Sequence, residues 1–358
     1  MLIMKKVIVV GGGNGGIVAA NRLSGKGLDV TVVEPLDAHL YQPGIVDFSL
    51  GNEDERSIVK SLDSVLSAKR IKGRVSKVLL EEHSVLVNGE KLSYDYLILS
   101  PGVVSKQIDG ALDWHTLEHG RILRENIASF SGESIVIGYT GVIKCPAAPF
   151  EFGFLLREKF PKTKITLLNP VTSPPEIQRP MAEAFGRRSK ELNIDVKRGF
   201  KIAKIDKLNK IIESEGGEKV TYDLALIDPP VTVPEEFKEL ADKSGFIPVD
   251  RTTLKYRDYD NVFVIGDANN ILTPPKTGAK AHYEAKIVSE NILNDVHGGN
   301  KKIYDGSAIC AVYAGETKGY LVRMNFQKSG IYGASYMFYE MKRMFTRLYW
   351  TSLKGLIP

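Results

Sequence analysis

Short apolar, β-branched runs alternate along this chain with segments whose apolar residues recur at helical spacing, the pattern of an α/β fold. KVIVV, from Lys6, passes into glycines and then into an amphipathic stretch ending at Asn21; DVTVVEP supplies a second strand ending at Glu34. YDYLILSPG (94–102) and NVFVIGDANN (261–270) are later runs of the same kind, the latter preceded by IPVDRTTL, a short segment with strand character. Between them SIVIGYTGV, KITLLNP, IDVKRGF and LALIDPP form a second alternation, with an aromatic, helix-like stretch, FEFGFLL, after the first. The expected architecture is two Rossmann-like units, the second inserted in the first: 1–106 with 246–300, then 107–245, and a C-terminal region, 301–358. That region ends in GASYMFYEMKRMFTRLYWTSLKGLIP, a predicted amphipathic helix with Met337, Met341, Met344, Phe345 and Leu348 on one side and Lys342, Arg343 and Arg347 beside them.

Composition changes this picture little. With 358 residues, 43% hydrophobic and 25% charged, the chain is of soluble globular type and has no apolar run of about 20 residues to span a bilayer. Its first apolar strand leads directly into a glycine loop, which argues against a cleaved signal and for a cytoplasmic location. The formal charge of +5 is mild and shows no basic block suited to nucleic acid. The two cysteines, Cys145 and Cys310, make no disulfide framework and no metal-ligand spacing, so their interest is chemical.

The first loop reads GGGNGG, with Gly11, Gly13 and Gly16 in the G-x-G-x-x-G register and Asn14 between them. In such a loop glycines allow a tight turn and close approach of backbone to a pyrophosphate, and a helix N-terminus favours the anion. Glu34, at the end of the next strand, suits the ribose hydroxyls. Gly266-Asp267 resembles the second FAD fingerprint of flavoproteins with two dinucleotide sites, where the aspartate binds the ribityl chain. Pro101-Gly102 closes a motif resembling their linker. FAD is therefore the expected cofactor.

In such flavoproteins the inserted unit binds NADH, but here its loop keeps Gly138 and Gly141 without a third glycine in register, and its second strand ends in Asn169. Pro146 and Pro149 are expected to deny a pyrophosphate any regular helix start. NADH is not the expected donor. In its place stands IKCPAAPFE, a strand-end loop with Cys145 and Glu151.

Cys145 and Glu151 in that segment, Cys310 in SAICAVYAGETKGY, and PPKTGAKAH (274–282) together resemble the sulfide:quinone oxidoreductases and the flavoprotein subunits of flavocytochrome c sulfide dehydrogenases. The resemblance implies that Cys145 and Cys310 are a redox pair, joined directly or through sulfur. It implies Glu151 as proton acceptor, Lys276 beside the flavin pyrimidine and Thr277 at the cofactor. Hydrosulfide would attack the pair, two electrons would pass from a thiolate to the flavin, and sulfur would leave as polysulfide or zero-valent sulfur. Stabilising a buried thiolate requires a nearby cation, for which Lys144 and Lys276 are candidates. Where the family often has a third cysteine this chain has His115; His115, His119 and His282 read as surface or packing histidines.

The resemblance also implies a lipid quinone as acceptor and a protein peripheral on the inner face of the cell membrane, held by its basic, aromatic C-terminal helix. Tyr313, Phe326 and Tyr336 are candidates to line the quinone site. The alternative for the same helix is docking on the core or on a second subunit of a homo-oligomer. Competing functions are a type II NADH:quinone dehydrogenase, an exported flavocytochrome c-like subunit, and a non-catalytic FAD-binding sulfur carrier.

Overall fold

A computed structural model describes residues 4–355; the extreme ends of the first and last expected segments, 1–3 and 356–358, lie outside it. Its first elements are strand β1 (Lys5–Val10), helix α1 (Asn14–Leu23), strand β2 (Leu28–Val33), helix α2 (Ile45–Leu50), strand β3 (Lys69–Ile71) and strand β4 (Tyr96–Leu99). Then come α3 (Leu117–Ala128), β5 (Ser134–Tyr139), α4 (Ala148–Lys159), β6 (Lys164–Asn169), α5 (Arg179–Glu191), β7 (Asp195–Arg198) and β8 (Leu224–Asp228). The last are β9 (Val262–Val264), α6 (Gly278–His297), β10 (Ala308–Tyr313), β11 (Gly319–Met324), β12 (Ser329–Ser335) and α7 (Tyr336–Ser352).

Two parallel sheets result. One has the order β9-β4-β1-β2-β3 and the other β7-β6-β5-β8, so the chain leaves the first sheet after β4 and returns to it with β9. Both faces of β1 are covered, which is why its sequence is a continuous β-branched run rather than an alternation. Val7 and Val9 pack with Ile17 and Leu23 of α1, while Ile8 and Val10 pack with Leu97 and Leu99 in a separate core. A third, antiparallel sheet, β10-β11-β12, precedes α7. Its strand β10 packs against α4, α6 and α7 together, and this junction brings the cysteines close.

Two local expectations change. IPVDRTTL is not a strand: Asp250 accepts hydrogen bonds from the backbone and hydroxyl groups of Thr252 and Thr253, closing a turn. The prolines after Cys145 do not prevent a regular helix, because Pro149 lies in the first turn of α4, where its missing N–H would have had no helical partner.

Candidate active site

Gly11 has φ +101°, and a Cβ there would lie 2.2 Å from the Ser100 carbonyl oxygen, so the loop after β1 can close only as glycine. At Gly13, which begins α1, a Cβ would meet nothing within 4 Å, leaving open space before the helix N-terminus. Gly102 is open in the same way. Glu34 accepts the N–H groups of Gly12 at 2.6 Å and Leu36 at 2.8 Å, placing its carboxylate against the loop. Asn14 donates to the Gly278 carbonyl at 2.5 Å, while its buried Oδ1 has no partner. An open glycine cradle, an uncapped helix start, a strand-end acid and an orphaned amide oxygen fit a dinucleotide.

Opposite lies the turn after β9. Glu284 Oε2 accepts Gly266 N–H at 2.6 Å, and its other oxygen lies 3.2 Å from the Lys280 amine in a fully buried pair. Lys276 donates to the carbonyls of Asp267 at 2.6 Å and Asn269 at 2.8 Å. Burial, then the Lys280 charge, depress the Lys276 amine to about 7. The turn is thus fixed from beneath, and Asp267 is left half-buried at its surface. Two hydrogens of the Lys276 amine hold backbone, and the amine sits over the Phe246 ring at 3.7 Å.

Cys145, in the loop between β5 and α4, and Cys310, on β10, are free, half-buried thiols, with Cys310 close enough to act on the charge of Cys145. Burial, reinforced by Glu151, pushes Cys145 up to about 12. Cys310 is also raised by burial, but a hydrogen bond with Thr277 opposes this. Thr277 caps the 20-residue helix α6, accepting Lys280 N–H at 3.1 Å. The cation that acts on both thiols is neither Lys144 nor Lys276 but Lys342 of α7.

Lys342 is buried, not placed at a headgroup surface as its sequence context suggested. Its amine lies 3.1 Å from Glu151 Oε1, which also accepts Tyr313 N–H at 2.8 Å. Burial alone would pull the amine down, yet Glu151, Tyr41 and Asp47 together hold it above its ordinary value. The Tyr313 hydroxyl donates to Asp47 at 3.1 Å, and burial raises Asp47 to about 6 against the pull of Lys342. Asp47 was not anticipated, although a lone acid within IVDFSL was the available signal: a polar group in an apolar helix needs a partner.

Of the three aromatic candidates, two are linked. Tyr313 and Tyr336 both pack on Tyr339, at 5.6 and 6.0 Å between ring centroids. Phe326 is elsewhere, against Tyr304 and Arg251. On α7 the residues Lys342, Thr346 and Tyr349 face inward, whereas Met337, Met341, Met344, Phe345 and Leu348 are exposed, from 41% at Met341 to 61% at Met337. Among the described residues no helix is long and apolar enough to cross a membrane. In the second sheet the Asn169 side chain is already engaged, accepting the Tyr139 hydroxyl at 2.7 Å and Val171 N–H at 2.9 Å.

Comparison with known proteins finds relatives over most of the chain. The chain is 29% identical to the mitochondrial sulfide:quinone oxidoreductase of Dictyostelium discoideum, covering 90% of this chain and 78% of that one. It is 25% identical to the Mus musculus mitochondrial protein of the same name, with the same coverage of 90% and 78%. In fold it resembles the sulfide:quinone oxidoreductase of the hyperthermophilic bacterium Aquifex aeolicus, with a TM-score of 0.86 at 21% identity over 98% of this chain and 92% of that one. The family model for pyridine nucleotide-disulphide oxidoreductases matches residues 5–285. Matched over most of its length and carrying a cradle that fits the dinucleotide, the chain belongs to the pyridine nucleotide-disulphide oxidoreductase family and is an FAD-dependent oxidoreductase.

Proposed function

We propose that this protein is a sulfide:quinone oxidoreductase. The observation that carries the reading is the convergence of Cys145 and Cys310 under one buried ion pair, Glu151–Lys342, with Cys310 held by Thr277 at the start of the helix that follows the Asp267 turn. The names of the relatives point the same way.

In the oxidised state the two cysteines, free thiols in this structure, would be joined through sulfur; hydrosulfide attacks that bridge, one new S–S bond forms, the bridging S–S bond breaks, and a persulfide and a thiolate result. Cys310 is the better thiolate, because Thr277 donates a hydrogen bond to it, while Lys342 acts on both thiols. Cys145 carries the persulfide. Bound FAD supplies the two-electron acceptor between the thiols and a quinone. Around it, Gly11–Gly16 would hold the pyrophosphate, Glu34 the ribose and Asp267 the ribityl chain. Glu151, fixed by Lys342 and Tyr313, orients the thiol site and takes up a sulfide proton.

The acceptor side is read from α7. Its exposed methionines and Phe345, with Arg343 and Arg347, suit a membrane surface. Tyr336 and Tyr339 lead from there to Tyr313 beside Glu151, a route for a lipid quinone. On this reading the protein is peripheral, on the inner face of the cell membrane. Anaerobic titration tests the whole reading: sulfide should bleach the flavin and a quinone analogue restore it. Bleaching by NADH alone would point instead to an NADH:quinone dehydrogenase, and bleaching by neither to a carrier without turnover.

A further inference from the structure

The glycine loop after β1 is held from behind by the far end of the chain. His39, on the short strand Ala38–Leu40, is buried, and its Nδ1 lies 2.9 Å from the Gly12 carbonyl oxygen. Its Nε2 lies 2.6 Å from the Tyr349 hydroxyl of α7, 310 positions later. A carbonyl oxygen can only accept, so Nδ1 carries the proton. Burial holds the ring below its ordinary value and therefore neutral at pH 7, which leaves Nε2 as an acceptor. Tyr349, whose burial keeps its phenol protonated, donates to it. One tautomer and one direction of hydrogen bonding satisfy all three groups.

This line is part of a wider seat for α7. The Tyr349 ring packs on Tyr41 at 4.2 Å between centroids, and the Trp350 indole N–H donates to the Ser57 carbonyl at 3.1 Å. Beyond the helix, the Leu353 carbonyl accepts from Asn21 at 2.8 Å and the Gly355 carbonyl from Arg22 at 3.1 Å. Asn21 and Arg22 belong to α1, the helix that starts at the loop. Among these contacts the His39–Tyr349 line alone reaches the loop backbone.

Its effect falls on the opposite side of one peptide. The bond between Gly12 and Gly13 is trans, so its carbonyl and its N–H point in opposite directions. Glycines on both sides leave that peptide free to rotate unless something holds it. Here His39 holds the Gly12 carbonyl and Glu34 the Gly12 N–H. The Gly13 N–H is thereby turned away from His39, and it donates to no group among the described residues. It stands at the start of α1 beside open space. A fixed, unpartnered N–H at a helix N-terminus suits a pyrophosphate oxygen. We propose that His39 and Tyr349 are positioning residues for FAD: through them the C-terminal helix fixes the Gly12–Gly13 peptide, so that tight binding of the pyrophosphate requires α7 to be seated. The inference rests on the FAD site and on neither sulfide nor quinone as reactant.

The test uses the FAD-loaded protein. FAD release is followed by the recovery of flavin fluorescence on dilution, and the bound pyrophosphate by phosphorus NMR. Tyr349→Phe should release FAD about tenfold faster and shift the phosphorus resonances while the visible flavin spectrum is unchanged. His39→Leu should do at least as much. His39→Asn, whose amide can donate from the position of Nδ1, should stay near the wild type. Trp350→Phe, which breaks the neighbouring contact of the same helix with Ser57, should also leave both readouts near the wild type. Unchanged release and resonances in Tyr349→Phe and His39→Leu would overturn the positioning role. So would equal acceleration in Trp350→Phe, which would show only a general loosening of α7. A wild type that holds no FAD would instead overturn the cofactor assignment.

Discussion

The amine of Lys342 lies 3.1 Å from the carboxylate of Glu151, in a buried pair that ties the C-terminal helix to the helix following Cys145. One residue comes from the element expected to bind membrane and the other from the element expected to handle sulfide. Neither charge is tolerable there alone. Lys342→Met should therefore destabilise the protein by about 3–5 kcal/mol, with the double variant Lys342→Met/Glu151→Leu recovering much of the loss. Denaturant unfolding checks this. The single variant should also slow sulfide bleaching, since the cation that acts on both thiols is gone.

Cys145→Ser should retain FAD and lose bleaching by sulfide, as should Cys310→Ser. Thr277→Val, which keeps the shape but not the hydroxyl, should raise the Cys310 thiol further. Its alkylation rate measured against pH should shift toward alkaline values.

Asp47 gives a pH dependence of stability with a definite sign. Its folded value, about 6, is above its ordinary value of 3.8, so between those limits the folded state binds more protons than the unfolded one. Its contribution to stability falls as pH rises through that window, by at most about 1.4 kcal/mol per unit. Asp47→Asn should flatten this slope in denaturation measured from pH 4 to pH 7.

Membrane binding should be separable from the redox site. Met337→Glu with Phe345→Glu places charge on the outward face of α7 without touching Lys342. Liposome flotation should be lost while sulfide bleaching continues. Deleting the chain from Ser335 is a poorer probe, because it removes Lys342 with the exposed face and leaves Glu151 buried without its cation.

Much of the α/β framework was legible locally. Strands β1, β2 and β5 follow from apolar runs too continuous for any surface, and the first loop follows from glycines whose missing side chains leave room for a turn and a ligand. The outward face of α7 follows from the spacing of its methionines. The course of the cysteine loop was less legible. Prolines there read as breaks, yet Pro149 opens α4, because its effect depends on which turn of the helix it occupies.

Sequence alone determined the α/β pattern and the tight glycine loop after β1, since each is carried by residues close together in the chain and by backbone geometry that glycine and β-branching control directly. Only tertiary structure decided which charged groups meet. Lys342 reads as a surface cation until α7 packs on β10, and His115 and Asp228 are unrelated until the segment at Leu112 pairs with β8 at Leu226. Burial and pairing of charge are properties of contacts between distant segments, and in a low-dielectric interior those contacts fix what each group can do.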